Sequence, residues 1–541
     1  MSHFTDALRP YRARPDQRVA RWVLVGPDQL APRHPLLSGP PADTGVIYLE
    51  TSAKPARRPY HAQKLALLIA ALRHDALARG RAGHPVIHDA SGQWYDGALT
   101  AVRARYGLDV VETLTPAEAE VRAPLARLPW LRQHPNTLFI TDADFYRRVF
   151  ARARTRRLET FYRAARRHTR LLMDGDVPAG GRWNLDADNR RTWRGEPPVP
   201  ARPGFAPDAI TAEVLALVRD RYPRSFGSLD GFAWPVTAAD AARAADAFFA
   251  DRLAAFGPFE DAMADTEPVL FHSLLSPSIN LGHLDPLALC RRADAAWRRG
   301  EVALASAEGF IRQVLGWREF VRHVFDESAT VYTGGANALD ARLPLPAWFW
   351  GEPSGLRCVD RTIATVLASG HSHHITRLMV LCNLATLLGV DPHALNRWFW
   401  VAYVDAYDWV VTPNVVGMGT YADGGICASK PYIASGKYLQ RMGPSLCAAC
   451  RYDARASTGP DACPFTHLYW DFLDRHRGRL ARNPRMAIPL AALRRQPPAE
   501  LDEHRREARR WQRAAMAAAG AQESASGSDA QVAERPPPRR R

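Results

Sequence analysis

The segment Phe310–Phe320 reads FIRQVLGWREF and mixes two kinds of residue in one short stretch. Its apolar residues are typical of a helical core. Its polar residues, Arg312, Gln313, Arg318 and Glu319, are groups that a purely structural helix does not need. The mixture indicates either a polar ligand held among helices or a solvated helix face with charge pairs at i,i+4 spacing.

Three further segments have the same mixed character. They are Phe271–Pro286 (FHSLLSPSINLGHLDP), Gly370–Met379 (GHSHHITRLM) and Asn396–Gly419 (NRWFWVAYVDAYDWVVTPNVVGMG). All lie in residues 209–480, where helical patterns dominate and Trp and Tyr are spread throughout. We therefore expect a large α-helical domain there.

The residues before this region have a different pattern. Trp22–Gly26 and Val46–Leu49 are short apolar runs typical of buried strands, whereas Lys64–Arg79 has helical periodicity and ends at Gly80. Strands that alternate with helices predict an α/β domain with a Rossmann-like parallel sheet. The region has no GxGxxG, so it is no obvious dinucleotide site.

These patterns divide the chain into five predicted parts. They are a flexible N-terminal extension (residues 1–20), an α/β domain (21–140), a basic helical and loop linker (141–208), an α-helical domain (209–495) and a basic, disordered tail (496–541).

The overall charge indicates a polyanionic partner. The 541 residues include 71 Lys and Arg against 56 Asp and Glu, a net charge of +15, and residues 147–170 alone contain ten Arg. Nucleic acid fits this balance, although an Arg-rich genome would also produce it. There is no apolar stretch long enough to span a bilayer and no signal peptide. We expect a cytoplasmic protein without membrane contact.

Four cysteines have a spacing typical of metal ligands. Cys447 and Cys450 form a CxxC, Cys463 follows thirteen residues later, and Cys358 lies upstream. An iron–sulfur cluster and a zinc ion, the latter with His467 as a further ligand, fit this spacing equally well. Buried, unliganded thiols are the alternative, and that interpretation suits the other three cysteines, Cys290, Cys382 and Cys427.

Taken together, these motifs resemble the cryptochrome/photolyase family. FIRQxLGWREF is similar to its flavin-domain signature, SxLSPxIN to its diphosphate-binding segment, and HHxxRL to its active-site histidine element. The cysteine pattern resembles the iron–sulfur branch of bacterial cryptochromes and photolyases, whose repair members are prokaryotic (6-4) photolyases. The resemblance covers roughly residues 21–480 and implies an α/β antenna-binding domain, a linker and an α-helical FAD-binding domain.

The resemblance implies a light-driven (6-4) DNA photolyase, a lyase that uses FAD to repair UV-damaged DNA as a monomer associated with the bacterial nucleoid. A blue-light photoreceptor of the same fold, without repair activity, is the alternative. A third hypothesis, a non-photoactive iron–sulfur protein that binds nucleic acid, requires the flavin motifs to be accidental.

The resemblance also implies ligands for three cofactors. For FAD they are Ser273, Leu275, Ser276, Gln313, Arg318, Arg377 and Asp405; for a 4Fe-4S cluster, Cys358, Cys447, Cys450 and Cys463; and for a 6,7-dimethyl-8-ribityllumazine antenna, Asp28, Gln29 and Glu50. The antenna residues follow the first two strands, where open α/β sheets bind ligands.

The same resemblance places the catalytic residues. It puts His374 at the active-site histidine, with His373 beside it and with Asp261 and Tyr432 in the lesion pocket. Histidine suits proton transfer because its pKa lies near working pH. The alternative for the HxHH sequence, His371, His373 and His374, is a structural or zinc-binding cluster.

Electron transfer to the flavin needs closely spaced oxidisable aromatic residues. Trp398 and Trp350 match the family's tryptophan positions. Phe399 stands where related proteins often have a tyrosine, and because phenylalanine is far harder to oxidise, this departure puts the path in doubt. The candidate substitutes are Trp400, Trp409 and Tyr403.

Overall fold

A five-stranded parallel sheet forms the centre of the N-terminal region in the computed structural model, which describes residues 2–15 and 17–525. The strand order is β3-β2-β1-β4-β5. The strands are β1 (Arg21–Leu24), β2 (Thr44–Thr51), β3 (Val86–Ser91), β4 (Val111–Leu114) and β5 (Leu131–His134). Trp22 of β1 is in register with Gly45 on one side and Val111 on the other. The predicted α/β fold with a Rossmann-like sheet is confirmed.

Helices cover both faces of this sheet and make up most of the chain that follows. The first eight are α1 (His3–Leu8), α2 (Ala53–Arg57), α3 (Ala62–Arg81), α4 (Tyr95–Tyr106), α5 (Ala119–Leu125), α6 (Ala143–Phe150), α7 (Leu158–Thr169) and α8 (Ala209–Arg221). The next nine are α9 (Ala238–Ala247), α10 (Leu253–Phe256), α11 (Ser276–Asn280), α12 (Pro286–Arg298), α13 (Leu304–Ile311), α14 (Glu319–Glu327), α15 (Ala329–Thr333), α16 (Arg357–Ser369) and α17 (Asn383–Leu388). The last eight are α18 (Pro392–Ala402), α19 (Asp408–Thr412), α20 (Gly436–Met442), α21 (Pro444–Ala448), α22 (Pro464–Arg475), α23 (Arg477–Leu480), α24 (Ala487–Leu493) and α25 (Pro498–Ala525).

Both predicted flexible termini differ from the structure. In the segment 1–20, α1 buries Phe4 and Leu8 against α3 and α8. In the segment 496–541, α25 buries Trp511, whose ring lies 5.9 Å from that of Trp348. Each helix has apolar residues at i,i+4 or i,i+3 spacing, which gives it one face to bury, so composition alone was misleading. Residues 526–541 lie outside the described part of the chain.

Three π-helical turns interrupt the helices that contain the mixed motifs. They are Arg312–Arg318, Thr376–Cys382 and Pro413–Gly419. Short π-helical segments are frequent at functional sites because they change the direction of side chains along an otherwise regular helix. Each of the three supplies side chains to one internal cavity.

A buried lysine joins the sheet region to the helical region. Lys64 of α3 donates hydrogen bonds to the carbonyl oxygens of Trp400, at 2.7 Å, and Ala406, at 2.6 Å. Burial lowers the pKa of Lys64 to about 7. The predicted linker (141–208) contains α6, α7 and the short antiparallel pair Met173–Asp174 and Val177–Pro178, and it is largely irregular from there to α8. No helix among the described residues is both long and apolar enough to cross a membrane.

Candidate functional site

A cavity of about 730 Å³ lies inside the helical region, and the mixed motifs form its wall. The structure places six of the seven predicted FAD ligands along it: Ser273, Ser276, Gln313, Arg318, Arg377 and Asp405. The exception is Leu275, which is buried in the hydrophobic core behind the wall. The neighbouring Leu274 faces the cavity instead, with a positive φ of 59° that turns this loop toward the interior.

An ion pair between a buried carboxylate and a half-buried guanidinium forms one side of the cavity. The Arg377 guanidinium donates two parallel hydrogen bonds, each 3.0 Å long, to the two carboxylate oxygens of Asp405. Ser276 Oγ donates a third, at 2.6 Å. Burial alone would raise the pKa of Asp405, but these partners lower it to about 2. The carboxylate is therefore charged at any physiological pH, and Arg377 is held in one orientation.

Arg318 supplies a second cation to the same wall. Its Nη1 donates to Glu319 Oε1 at 2.9 Å, and its guanidinium lies over the ring of Phe139 at 4.3 Å. Its Nε is buried and has no hydrogen-bond partner within the protein. Because an unpaired buried donor is costly, this atom fits a ligand that carries an acceptor.

Three histidines cluster at another part of the cavity. They are His272, His373 and His374, and one ring nitrogen of each lies within 4.8 Å of the other two. His374 Nε2 is 3.6 Å from Asp261 Oδ1, and 42% of its side chain is exposed, facing the cavity. His371 also lines the cavity but is not part of this cluster, so the HxHH sequence does not supply three ligands to one point.

The surroundings shift the pKa values of these histidines in different directions. Desolvation disfavours the charged form of His374, but the Asp261 and Glu260 carboxylates outweigh it and raise its pKa. Burial and the adjacent imidazoles lower the pKa of His373 and of His272 well below the usual value. His374 is therefore the one of the three suited to hold and deliver a proton near neutral pH.

Two functional-site residues were not predicted from the sequence. His272 belongs to a quoted motif, and Glu260 is the neighbour of Asp261, so both lay beside predicted positions. Glu260 is buried, accepts a 2.5 Å hydrogen bond from Gln313 and has its pKa raised by burial to about 7. Tyr432, which was predicted, lines the cavity near these groups.

The predicted electron-transfer residues lie behind the cavity. Phe399 lines it, whereas Trp398 does not and is 1% exposed. The Trp398 ring centroid is 5.1 Å from that of Phe399 and 5.8 Å from that of Tyr403. Trp350 is partly buried and packs against Phe226 at 5.1 Å. Tyr403 is thus an oxidisable ring adjacent to Trp398, and its role as a substitute for Phe399 stays a prediction.

The four predicted cluster cysteines converge from three parts of the chain. Cys358 lies in α16, Cys447 and Cys450 lie in and just after α21, and Cys463 precedes α22. Burial raises the pKa of the Cys358 thiol, and the other three thiols raise it further, so all four are close in space. No three of these Sγ atoms, all within the described residues, come within 4.8 Å of one another.

Zinc and an iron–sulfur cluster both take thiolate ligands, and the convergence of the four thiols suits either group. Cys463 packs closely against the backbone of Gly436, where a Cβ would lie 2.9 Å from Cys463 Sγ. His467, which was predicted as a further zinc ligand, pairs with His504 through their Nδ1 atoms at 3.0 Å.

The predicted antenna residues are only partly brought together. Asp28 and Gln29 line a small recess at the end of β1, together with Tyr95 and Glu118. Burial raises the pKa of Asp28 to about 6. Glu50 does not line this recess, because it forms a two-pronged ion pair with Arg73, through hydrogen bonds of 2.8 Å each.

Several arginines in residues 147–170 have roles within the protein. Arg166 is fully buried and donates to backbone carbonyls, including that of Trp183 at 3.1 Å. Arg156 pairs with Glu327, and Arg147 with Asp144. The arginine-rich stretch is therefore less of a free cationic surface than its composition indicates.

Comparison with known proteins agrees with this architecture. A family model described as deoxyribodipyrimidine photo-lyase-related protein matches residues 23–234. A (6-4) photolyase of Agrobacterium fabrum is 38% identical over 491 residues, which are 87% of this chain and 95% of that protein. Among solved structures, a bacterial class III photolyase from Agrobacterium tumefaciens aligns with a TM-score of 0.53 at 16% identity, over 94% of this chain and 99% of that one. A Synechocystis cryptochrome aligns with a TM-score of 0.54 at 13% identity, over 91% and 99%.

An α/β sheet followed by helices around a large cavity is thus the fold of the photolyase and cryptochrome class. Within that class, the chain belongs to the family of deoxyribodipyrimidine photo-lyase-related proteins, as the 38% identity over nearly the whole chain shows. Membership of this family implies FAD as the cofactor of the cavity.

Proposed function

We propose that this protein is a light-driven, FAD-dependent DNA lyase that repairs (6-4) pyrimidine photoproducts. The observation that carries the proposal is the composition of one cavity. It combines the Arg377–Asp405 pair and Arg318 with His374, whose Nε2 lies 3.6 Å from Asp261 Oδ1. A cofactor and a base-sized substrate can meet there, and the (6-4) photolyase of Agrobacterium fabrum is the 38% identical relative.

The cavity residues fit FAD. The loop Ser273–Ser276 would hold the diphosphate, and the buried Arg318 Nε and the Gln313 amide would serve polar atoms of the cofactor. Arg377, fixed by Asp405, would lie beside the ring system. When bound, reduced and excited by light, FAD supplies the electron that starts repair.

His374 would act as the acid in the lesion pocket. A (6-4) photoproduct is repaired by returning a hydroxyl from one base to the other, and a proton delivered as the lesion accepts the electron makes this migration feasible. Although burial opposes it, the Asp261 and Glu260 carboxylates raise the pKa of His374, whereas burial lowers that of His373, and Asp261 Oδ1 lies 3.6 Å from His374 Nε2. His373 and Tyr432 would position the flipped-out bases.

A 4Fe-4S cluster is the group that we propose for the four cysteines. The support is the soft thiolate ligand set, which four cysteines from three parts of the chain supply together. Bound metal would stabilise the C-terminal helices, since the ligands come from α16, α21 and the start of α22.

The antenna and the electron supply complete the proposal. We propose that 6,7-dimethyl-8-ribityllumazine binds at Asp28 and Gln29, where the recess would have to widen to hold it. Glu50 would contribute only by holding Arg73 in place. Trp398 would pass electrons toward the cavity, with Tyr403 or Trp350 behind it. Damaged DNA is the proposed partner, which places the enzyme with the nucleoid in the cytoplasm. The monomeric state stays a prediction.

The direct test is repair under illumination. Protein with fully reduced flavin is mixed with an oligonucleotide that carries a single (6-4) photoproduct, and the restored strand is quantified by chromatography. A dark sample and an oligonucleotide with a cyclobutane dimer are the controls. Light-dependent loss of the (6-4) lesion alone supports the proposal. Flavin that is photoreduced without any repair would support the photoreceptor hypothesis instead.

A further inference from the structure

The histidine cluster of the cavity has a geometry that the proposed repair step does not use. One ring nitrogen each of His272, His373 and His374 lies within 4.8 Å of the other two. The His272 ring centroid is 4.5 Å from that of His373 and 5.3 Å from that of His374, so His272 is the middle member. The repair step needs one acid, His374, and leaves His272 without a role.

Two of these imidazoles have a buried nitrogen without a partner. His272 Nε2 and His373 Nδ1 make no hydrogen bond within the described part of the chain, and the two residues are only 7% and 3% exposed. Buried polar atoms that lack a partner are costly and rare in folded proteins, and a bound ion is one of the groups that accounts for them. Two such atoms in one cluster, beside a third imidazole, indicate a ligand that imidazole nitrogens bind.

The backbone holds the two buried histidines in place from separate segments. His272 lies in a loop in which Leu270 and Leu274 have positive φ values of 48° and 59°. Non-glycine residues in this conformation cost free energy, and they are concentrated at active sites and ligand-binding sites. The carbonyl oxygen of His373 accepts a 2.9 Å hydrogen bond from Thr376 Oγ1, which fixes the second segment. The cluster is therefore a preformed arrangement rather than a chance approach of mobile side chains.

We propose that this cluster binds zinc, or a similar divalent transition metal that prefers imidazole, and that the bound ion blocks repair. Zinc held by imidazoles at about 2.0–2.1 Å in a tetrahedron brings their nitrogens to about 3.4 Å from one another. His374 supplies this contraction, since 42% of its side chain is exposed and faces the cavity. The cavity leaves the fourth position open to water, as in other sites with three histidines. The Asp261 carboxylate, 3.6 Å from His374 Nε2, offsets part of the charge of the ion.

The block follows from the place at which the ion binds. The cluster lies in the part of the cavity that the flipped-out bases would enter, so the ion takes up their space. It also holds one nitrogen of His374, which is then unable to donate a proton from that atom. The block rests on the proposed function, whereas zinc binding itself does not.

The test measures zinc bound to the full chain with FAD in place, by equilibrium dialysis against chelator-buffered zinc chloride. His272→Gln removes the middle ligand and should weaken binding more than about 100-fold, because loss of an outer-shell partner alone costs roughly 10–100-fold. His283→Gln is the matched control and should bind zinc as the parent does. His283 Nδ1 is also buried and unpartnered among the described residues, but it belongs to no such cluster. Iron is measured on every sample, and His373→Gln replaces the first variant if that variant fails to fold.

Magnesium separates the histidines from the nearby carboxylates. It takes oxygen ligands, so a large excess of magnesium should leave the zinc bound. Displacement of zinc by magnesium, or equal zinc binding by parent and His272→Gln, would overturn the site. In the light-driven assay zinc should stop repair by the parent, and EDTA should restore it; repair that continues with the site filled would overturn the block. Failure of the proposed function has a different signature, since the parent would then repair no lesion without zinc while dialysis still reports on the site.

Discussion

The Arg377–Asp405 pair allows its contribution to stability to be worked out from the structure. Replacing Asp405 by Asn keeps the shape of the side chain but removes its charge. The pKa of Asp405 falls from 3.8 to about 2, and at 1.36 kcal/mol for each pKa unit this shift corresponds to about 2 kcal/mol of stability. Breaking a buried pair by removing one partner costs about 3–5 kcal/mol, because it leaves an uncompensated charge. Arg377 is 24% exposed, so we expect a loss of about 2–4 kcal/mol.

The loss is measured as the difference in free energy of unfolding in urea, followed by tryptophan fluorescence. Asp144→Asn is the matched control, because its ion pair with Arg147 is 67% and 74% exposed and should contribute less than about 1 kcal/mol. The contribution of Asp405 is present above its unfolded pKa of 3.8 and is lost as pH falls toward about 2. The difference between parent and Asp405→Asn should therefore be constant from pH 5 to 7 and shrink below pH 4. Equal effects of Asp405→Asn and Asp144→Asn would refute the reasoning.

Three other predictions concern repair, electron supply and metal. His374→Asn should lower the repair rate by roughly 10²–10⁴-fold while FAD content stays parental. In the parent, the repair rate should decline as pH rises through the raised pKa of His374. If the variant repairs at the parental rate, His374 is not the acid. Trp398→Phe should slow flavin photoreduction, measured by absorbance under blue light, whereas Trp130→Phe, in the sheet region, should not; unchanged kinetics in Trp398→Phe would mean that electrons enter elsewhere. Cys450→Ser should lose iron and sulfide, assayed chemically, while Cys290→Ser keeps both; equal metal content would contradict the ligand assignment.

Much of the fold could be predicted because it depends on local patterns. Apolar runs such as Trp22–Gly26 and the helical periodicity of Lys64–Arg79 determine the strands and helices of the sheet region directly. The cavity residues were found through motifs that mix core-type and polar side chains. That mixture has a physical cause, since a helix that lines a ligand cavity must pack on one side and supply polar groups on the other.

The differences arise where tertiary context decides. The first helix buries only Phe4 and Leu8, which are too few to stand out in a short polar segment. Glu50 was predicted as an antenna ligand from its place after β2, but Arg73, from another element, pairs with it. His272 approaches His374 only through folding, because about one hundred residues separate them in the chain. Sequence position carries no signal for such partners.

The π-helical turns around the cavity have a consequence for how the gene can vary in length. In an α-helix each residue advances about 100° around the axis, so one inserted or deleted residue rotates everything that follows by that angle. Gln313 and Arg318 both face the cavity from opposite ends of the turn Arg312–Arg318. Deleting one residue between them would turn Arg318 away from the cavity, even if every remaining side chain were unchanged. Insertions and deletions should therefore be rejected in this segment at positions where substitutions are accepted.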